Sequence, residues 1–385
     1  ISVELDLASP RADREFAMPI EPTIEPGSPD TSDAVPDPSR RGFLASFGAL
    51  FAAAGVALLP RGATAQWWGE PPPLDHPSVY DRSRRYDRPR RYDRPTPYDS
   101  PGWQNRGTPY SRSYDPTPIS NDLGTTIQRY ITRQRQAGRL ASNERSAWLV
   151  YDFTTGRYLA AINASAPYQS ASMIKPFIAL AFFHKVQDGE LSYTPYHRWR
   201  MEAMIQRSDN RATNYFIELL NRTSHRSGPA EAQHTLKRSN PGIFRHTRIV
   251  ERIPRGGRSY RNKASALDYS RFLEALWYDR LPYSSEIKRL MNLPNRDRVY
   301  TGARGVPRGT LVLDKTGTTA RLCGDMGILI AQGQDGRRYP YTFIGIIEKA
   351  RPASHYTAWK NARGDVIREV SSIAYRHLRQ MHDLV

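Results

Sequence analysis

A chain of 385 residues with 30 prolines, one cysteine and a formal net charge of +18 cannot be a disulfide scaffold, and its proline is spread too unevenly for one core. Charge is also uneven: beyond residue 118, Lys and Arg outnumber Asp and Glu by 20. A field of that sign steers anionic partners to the surface and says nothing about fold. No RNA- or DNA-binding signature accompanies it, so cell-wall polymer or lipid headgroups are the expected anions and nucleic acid is not.

Residues 1–38 are rich in acids (Glu4, Asp6, Asp13, Glu15, Glu21, Glu25, Asp30, Asp33, Asp37) and show no apolar periodicity, the composition of a disordered extension. Residues 39–65 open on Ser39-Arg40-Arg41-Gly42-Phe43-Leu44, continue through an Ala/Gly/Leu run to Leu59 and end at Ala63-Thr64-Ala65. Twin arginines, a weakly apolar core and a small-x-small site read as a twin-arginine export signal cleaved near Gln66, hence a periplasmic destination. The competing reading is an uncleaved anchor over 42–60, which Gly and Ala make only weakly hydrophobic. An acidic stretch longer than such signals need, beginning with Ile1, reads as a start-site artefact. Export favours disulfides, yet Cys323 stands alone, so the expected domain is stabilised by its core.

Residues 66–117 carry Tyr80-Asp81-Arg82, Tyr86-Asp87-Arg88, Tyr92-Asp93-Arg94 and Tyr98-Asp99-Ser100 at even spacing among prolines, with Val79 the one aliphatic residue beside them. Such a segment buries no core and reads as a semi-rigid tether, or else as a Tyr/Arg adhesive for the wall.

From residue 118 to 385 the pattern is that of a domain. Asn121 to Leu140 has helical spacing. Ser146 to Phe153 and Arg157 to Ile162 read as a hairpin around Thr154-Thr155-Gly156. Behind Lys175 come Phe177, Ile178, Leu180, Ala181, Phe182, Phe183 and Val186, apolar on all sides, as in an enclosed helix, ending at Asp188-Gly189. Helical stretches follow at Arg198 to Arg207, Arg211 to Leu220 and Pro229 to Lys237, and the Gly/Arg/Pro-rich run Gly242 to Lys263 reads as a surface loop. Ser265 caps a helix to Trp277, and Ser284 to Met291 is another. Thr310 to Asp314, Met326 to Ile330 and Tyr341 to Ile347 are strands, and Asp365 to Met381 is a closing amphipathic helix. The expected fold is α+β: early and late strands join in a five-stranded antiparallel sheet flanked by helices, with a helical lobe.

Ser172 and Lys175 stand three apart at the start of the enclosed helix, a hydroxyl beside an amine where helix N–H groups converge, which suits a nucleophile and its base. Ser208-Asp209-Asn210 precedes a helix, and Lys315-Thr316-Gly317 ends a strand. Each motif alone is weak. Together and in order they resemble those of the serine β-lactamase and penicillin-recognising hydrolase superfamily, and the context Ala203 to Asn214 looks like class A. The resemblance implies that Ser172 is acylated, Lys175 is a neutral base, Ser208 relays a proton to the leaving nitrogen and Asn210 holds the substrate amide. Lys315, Thr316 and Thr318 would grip the carboxylate shared by β-lactams and peptidoglycan stem peptides, and the backbone N–H groups of Ser172 and Thr318 would form the oxyanion hole. Gly317 would let substrate approach the strand, and Arg321 would add to carboxylate binding or lie in solvent.

The chain departs from class A where that family carries its deacylating glutamate. Alignment on Ile253-Pro254 puts His246 at the glutamate's place and Val250 at that of its asparagine, with Glu251 the nearest carboxylate. Hydrolytic turnover is therefore in question. The readings that remain are a β-lactamase, a D,D-peptidase or related hydrolase with slow deacylation, and a non-catalytic wall-binding module. No cofactor is implied, and the nine histidines lack paired metal-ligand spacing.

Overall fold

A computed structural model describes residues 121–385. The acidic extension, the twin-arginine segment and the tether fall outside the described residues, as do residues 118–120.

Helix α1 (Asn121–Gln136) leads into strands β1 (Glu144–Asp152) and β2 (Arg157–Ile162). A short strand β3 (Tyr168–Gln169) then enters a 3-10 turn (Ala171–Ile174) that continues directly as α2 (Lys175–Gln187). Helices α3 (Pro195–Ile205), α4 (Asn210–Asn221) and α5 (Gly228–Ser239) follow, then β4 (Lys263–Ala264), α6 (Ala266–Trp277) and α7 (Ser284–Met291). Strands β5 (Leu311–Thr318), β6 (Leu322–Gln332) and β7 (Arg338–Lys349) and the long α8 (Tyr356–His382) complete the chain. The large sheet has the order β2-β1-β7-β6-β5, with every neighbouring pair antiparallel, and β3 pairs with β4 beside it.

Period-two alternation divides the apolar side chains between two cores. Ala147 and Leu149 face one core with α2, α6 and the helical lobe, whereas Trp148 and Val150 face another with α1 and α8. Helix α2 is buried on every side from Lys175 to Lys185 and ends at Asp188, with Gly189 at φ +78°, as its sequence implies.

Several elements differ from the sequence reading. Strand β5 runs through Lys315-Thr316-Gly317 to Thr318 rather than stopping at Asp314, because the edge strand keeps its pairing with β6 to Cys323. Helix α3 begins at Pro195, ahead of Arg198: Thr194 accepts the His197 N–H at 3.2 Å, and His197 Nδ1 reaches back to the Thr194 N–H at 3.3 Å. That is a reciprocal cap with histidine in the place usually held by Glu or Gln. Helix α8 begins at Tyr356, well before Asp365.

The segment between α5 and β4 has irregular backbone, but it is not a loose surface loop: Ile243, Phe244, Thr247, Ile249 and Ile253 are buried. Asn262 holds it from within, accepting the N–H groups of Val250 (2.8 Å) and Glu251 (3.1 Å) and donating to the Glu251 carbonyl at 3.0 Å. A side-chain amide thereby takes the place of a strand partner.

Where sheet and turn meet, Met173 fills the space above two glycines. A Cβ on Gly317 would come 2.9 Å from Met173 Cγ, and one on Gly324 would come 2.9 Å from Met173 Cε. Gly317 therefore serves first to let the 3-10 turn dock on the sheet, where the sequence suggested only approach of substrate. Met173→Ala is expected to lower the unfolding free energy by about 2–5 kcal/mol, the cost of emptying a fully buried site. Chemical denaturation measures it; an unchanged midpoint would mean that Met173 does not bridge turn and sheet.

Candidate active site

Ser172 is held from three directions. Its turn is entered through Ala171, a non-glycine residue at φ +45°, and closed by the Lys175 N–H donating to the Ser172 carbonyl. The preceding Ser170 N–H donates to the Asn262 carbonyl at 2.9 Å, and Thr319, just beyond β5, donates to the Gln169 side chain at 3.1 Å. In a 3-10 turn, residues three apart eclipse one another, so Ser172 and Lys175 project to one side although only Lys175 belongs to the α-helix. Ser208 likewise has a left-handed backbone, at φ +58°. Positive φ at Ala171 and Ser208 concentrates conformational cost at the site, where tertiary packing over-determines the backbone.

Lys175 is fully buried. Its amine lies 2.5 Å from the Ser208 carbonyl, 2.9 Å from Asn210 Oδ1 and 3.1 Å from Ser208 Oγ. Burial, and next the positive charge of Lys315, hold its pKa well below the usual lysine value, with Asp209 opposing. A neutral amine has two N–H groups for three oxygen neighbours. Once these serve the Ser208 carbonyl and Asn210, the nitrogen lone pair is left for a hydroxyl proton. Asp209 lies to the side, accepting the Ala212 N–H at 2.6 Å as the N-cap of α4.

Lys315 is buried too and donates to the Thr316 carbonyl at 3.2 Å, with no ion-pair partner within 4.0 Å among the described residues. Burial brings its pKa down to about 8, helped by Arg298 and opposed by Asp314 and Asp325. Strand alternation puts these two acids on the opposite face of the sheet from Lys315, Asp325 being paired in register with Thr316. Burial raises both carboxyls, joined by the charges of Asp325 and Asp297 at Asp314 and by that of Asp297 at Asp325, which is brought to about 7. A buried cation without a local counter-charge is costly, and an anionic substrate group relieves it.

Ser172, Ser208, Asn210 and Thr318 line a single cavity of about 430 Å³, together with Ile253, Gly256 to Tyr260, Thr319, Ala320 and Tyr356. Lys175 lies beneath Ser208 and Asn210, and Lys315 is buried in β5; neither lysine lines the cavity itself. Thr316 and Gly317 do not line the cavity, and Arg321 stacks on the Tyr260 ring at 4.8 Å instead of reaching in. The N–H-bearing residues Ser172 and Thr318 face the same space.

Neither candidate for a deacylating base is in that lining. The His246 ring is 3.3 Å from Asp268 Oδ1 and 3.2 Å from Ser265 Oγ, tied to the start of α6. Glu251 accepts from Ser259 Oγ at 2.8 Å and the Arg261 N–H at 2.9 Å, committed within its own segment. No carboxylate lines the cavity.

Sequence reasoning missed Arg298, whose guanidinium donates to Thr318 Oγ1 at 2.7 Å and to the Gly324 carbonyl at 3.0 Å. No motif surrounds it. Tyr260 and Tyr356 were equally silent, whereas the Gly256-Gly257 pair, at φ +87° and +72°, was a visible turn signal. Among the described residues, no group of His, Cys, Asp and Glu could hold a metal ion.

The comparisons with known proteins agree with this geometry. The model of the beta-lactamase enzyme family matches residues 126–195 and 198–378. Among solved structures, a point variant of PBP-A, described as an acyl-enzyme complex with penicillin G, is 21% identical with a TM-score of 0.53, covering 69% of this chain and 100% of its own. An ancestral Gram-negative class A beta-lactamase is also 21% identical (TM-score 0.52, 66% and 99% covered), and a beta-lactamase from Streptosporangium roseum is 16% identical (0.52, 66% and 99%). At those identities the likeness is one of fold. A search of curated proteins gave no match. By the extent of the family match, and with an α+β fold shared with these enzymes, the chain belongs to the beta-lactamase enzyme family.

Proposed function

We propose that the protein is a serine hydrolase of the β-lactamase type, acylated at Ser172 by β-lactams and opening the amide of their ring. The observation that carries this reading is the enclosure of Lys175: a buried amine beside a second buried cation, with Ser208 and Asn210 around it. In the first step Ser172 Oγ bonds to the ring carbonyl carbon while its proton passes to the Lys175 nitrogen. The carbonyl oxygen becomes an oxyanion opposite the N–H groups of Ser172 and Thr318, donors of a kind each worth about 3–4 kcal/mol. As the oxyanion collapses, the C–N bond breaks and Ser208 passes a proton from Lys175 to the leaving nitrogen. Asn210 holds the substrate amide, and Lys315, Thr316 and Thr318 receive the carboxylate. Of these three residues Thr318 lines the cavity, while Lys315 and Thr316 stand behind it on the same edge strand.

A second reading is favoured by the lack of a carboxylate in the lining. Without an acid to activate water, the acyl-enzyme persists, as suits a D,D-peptidase or related cell-wall hydrolase acting on peptidoglycan stem peptides. The relative described as a penicillin G acyl-enzyme lends support to acylation. Export by the twin-arginine route, which would put the domain beside such substrates, is part of the same proposal.

Incubation with a fluorescent penicillin, followed by intact mass, is expected to show one adduct that is absent in Ser172→Ala and decays over minutes or longer. A rapidly vanishing adduct would favour efficient turnover; none at all would overturn the acylation reading. Lys175→Ala is expected to slow acylation by about 10²–10⁴-fold without loss of fold, the span typical of a removed general base.

The acylation rate should also depend on pH in two directions. It rises with pH as the depressed Lys175 ammonium loses its proton, and falls above about pH 8 as Lys315 becomes neutral and releases the carboxylate. A profile that still climbs at pH 9 would remove Lys315 from carboxylate binding.

A further inference from the structure

The wall of the cavity facing β5 is made by a turn that carries arginine at every third position: Arg252, Arg255, Arg258 and Arg261. All four are exposed. Arg252 is neutralised by Glu218, to which it is hydrogen-bonded. The side chains of Arg255, Arg258 and Arg261 have no ion pair or hydrogen bond among the described residues, and of the three only Arg258 lines the cavity. Nothing in the lining opposes it, since no carboxylate is there.

The location of Arg258 follows from its neighbours. Gly257 packs against Asn210 so closely that a Cβ would come 3.0 Å from Asn210 Nδ2. Asn210 in turn is bonded to Lys175. An acyl group attached to Ser172, with its carboxylate drawn to β5 and its amide at Asn210, therefore continues toward Gly257 and the residue after it. The turn is also held in place: the Gly257 N–H donates to the Pro254 carbonyl at 2.8 Å, and the next aromatic, Tyr260, is backed by the Arg321 guanidinium. An unpaired cation carried by that turn, at the end of that path, selects for negative charge.

We propose that Arg258 is a specificity-determining residue, and that the preferred substrate carries a second anionic group, a carboxylate, on its acyl portion in addition to the one received at Lys315. This rests on the acylation reading above and deepens it. It is a statement about the acyl side of the substrate, so neutral acyl side chains are accepted but disfavoured.

The test compares benzylpenicillin, with one carboxylate, and carbenicillin, with a second on its acyl side chain, using the full chain at low ionic strength. The ratio of their acylation rates, carbenicillin over benzylpenicillin, is expected to fall about two- to fivefold in Arg258→Gln, the scale of an exposed charge pair. Arg255→Gln, on the same turn but outside the lining, is expected to keep the native ratio. A ratio unchanged by Arg258→Gln overturns the proposal. So does an equal fall in both variants, which would make the effect one of general surface charge. Calorimetric binding of the same two compounds to Ser172→Ala, and to Ser172→Ala with Arg258→Gln, gives a second reading of the ratio without a covalent bond. If the native chain forms no adduct, the acylation reading fails, while the binding ratio still decides the role of Arg258.

Discussion

Everything at this site depends on keeping one amine uncharged inside the protein. Lys175 sits at the first turn of a helix with no solvent-facing side, and Lys315 adds a second positive charge nearby. Either influence alone favours the neutral amine; together they hold its pKa well below the usual lysine value, the condition that the proposed proton transfer from Ser172 requires. The carbonyl of Ser208 and the amide of Asn210 supply the polar partners that make burial of the amine tolerable.

The second constraint is mechanical. The turn bearing Ser172 rests on the sheet through Met173, and the sheet provides room only because Gly317 and Gly324 lack side chains at that point. Lys315 is thus on the same face as the docking turn, while Asp314 and Asp325 occupy the other face with Arg298. Separating the cation from its nearest acids by the thickness of a strand leaves Lys315 available to an incoming anion.

The segment from Gly242 to Lys263 forms one side of the cavity through Ile253 and residues 256–260. It is anchored by buried apolar residues and by Asn262, so it is an ordered wall of the cavity. Its carboxylate and its histidine are both used to hold the protein together, while the side chains of Arg255, Arg258 and Arg261 have no such partner among the described residues. A wall of that kind offers no carboxylate to activate water, which fits the slower of the two proposed chemical outcomes.

Much of the fold was legible in the sequence because its signals were local. The all-round apolar run of α2, the Ser265 cap and the strand patterns each follow from a few adjacent residues. The Ser172/Lys175, Ser208/Asn210 and Lys315 motifs were readable for the same reason: each is a stretch of a few adjacent residues. What only the tertiary structure decided were relations between distant segments. Arg298 reaches Thr318 and Tyr356 joins the cavity without any sequence mark, since their roles depend on where other elements pass. The purpose of Gly317, the commitment of His246 and Glu251 to structural bonds, and the place of Arg258 in the cavity wall are of this kind. Residue type and spacing set which groups can do chemistry; packing determines which of them meet the same empty space.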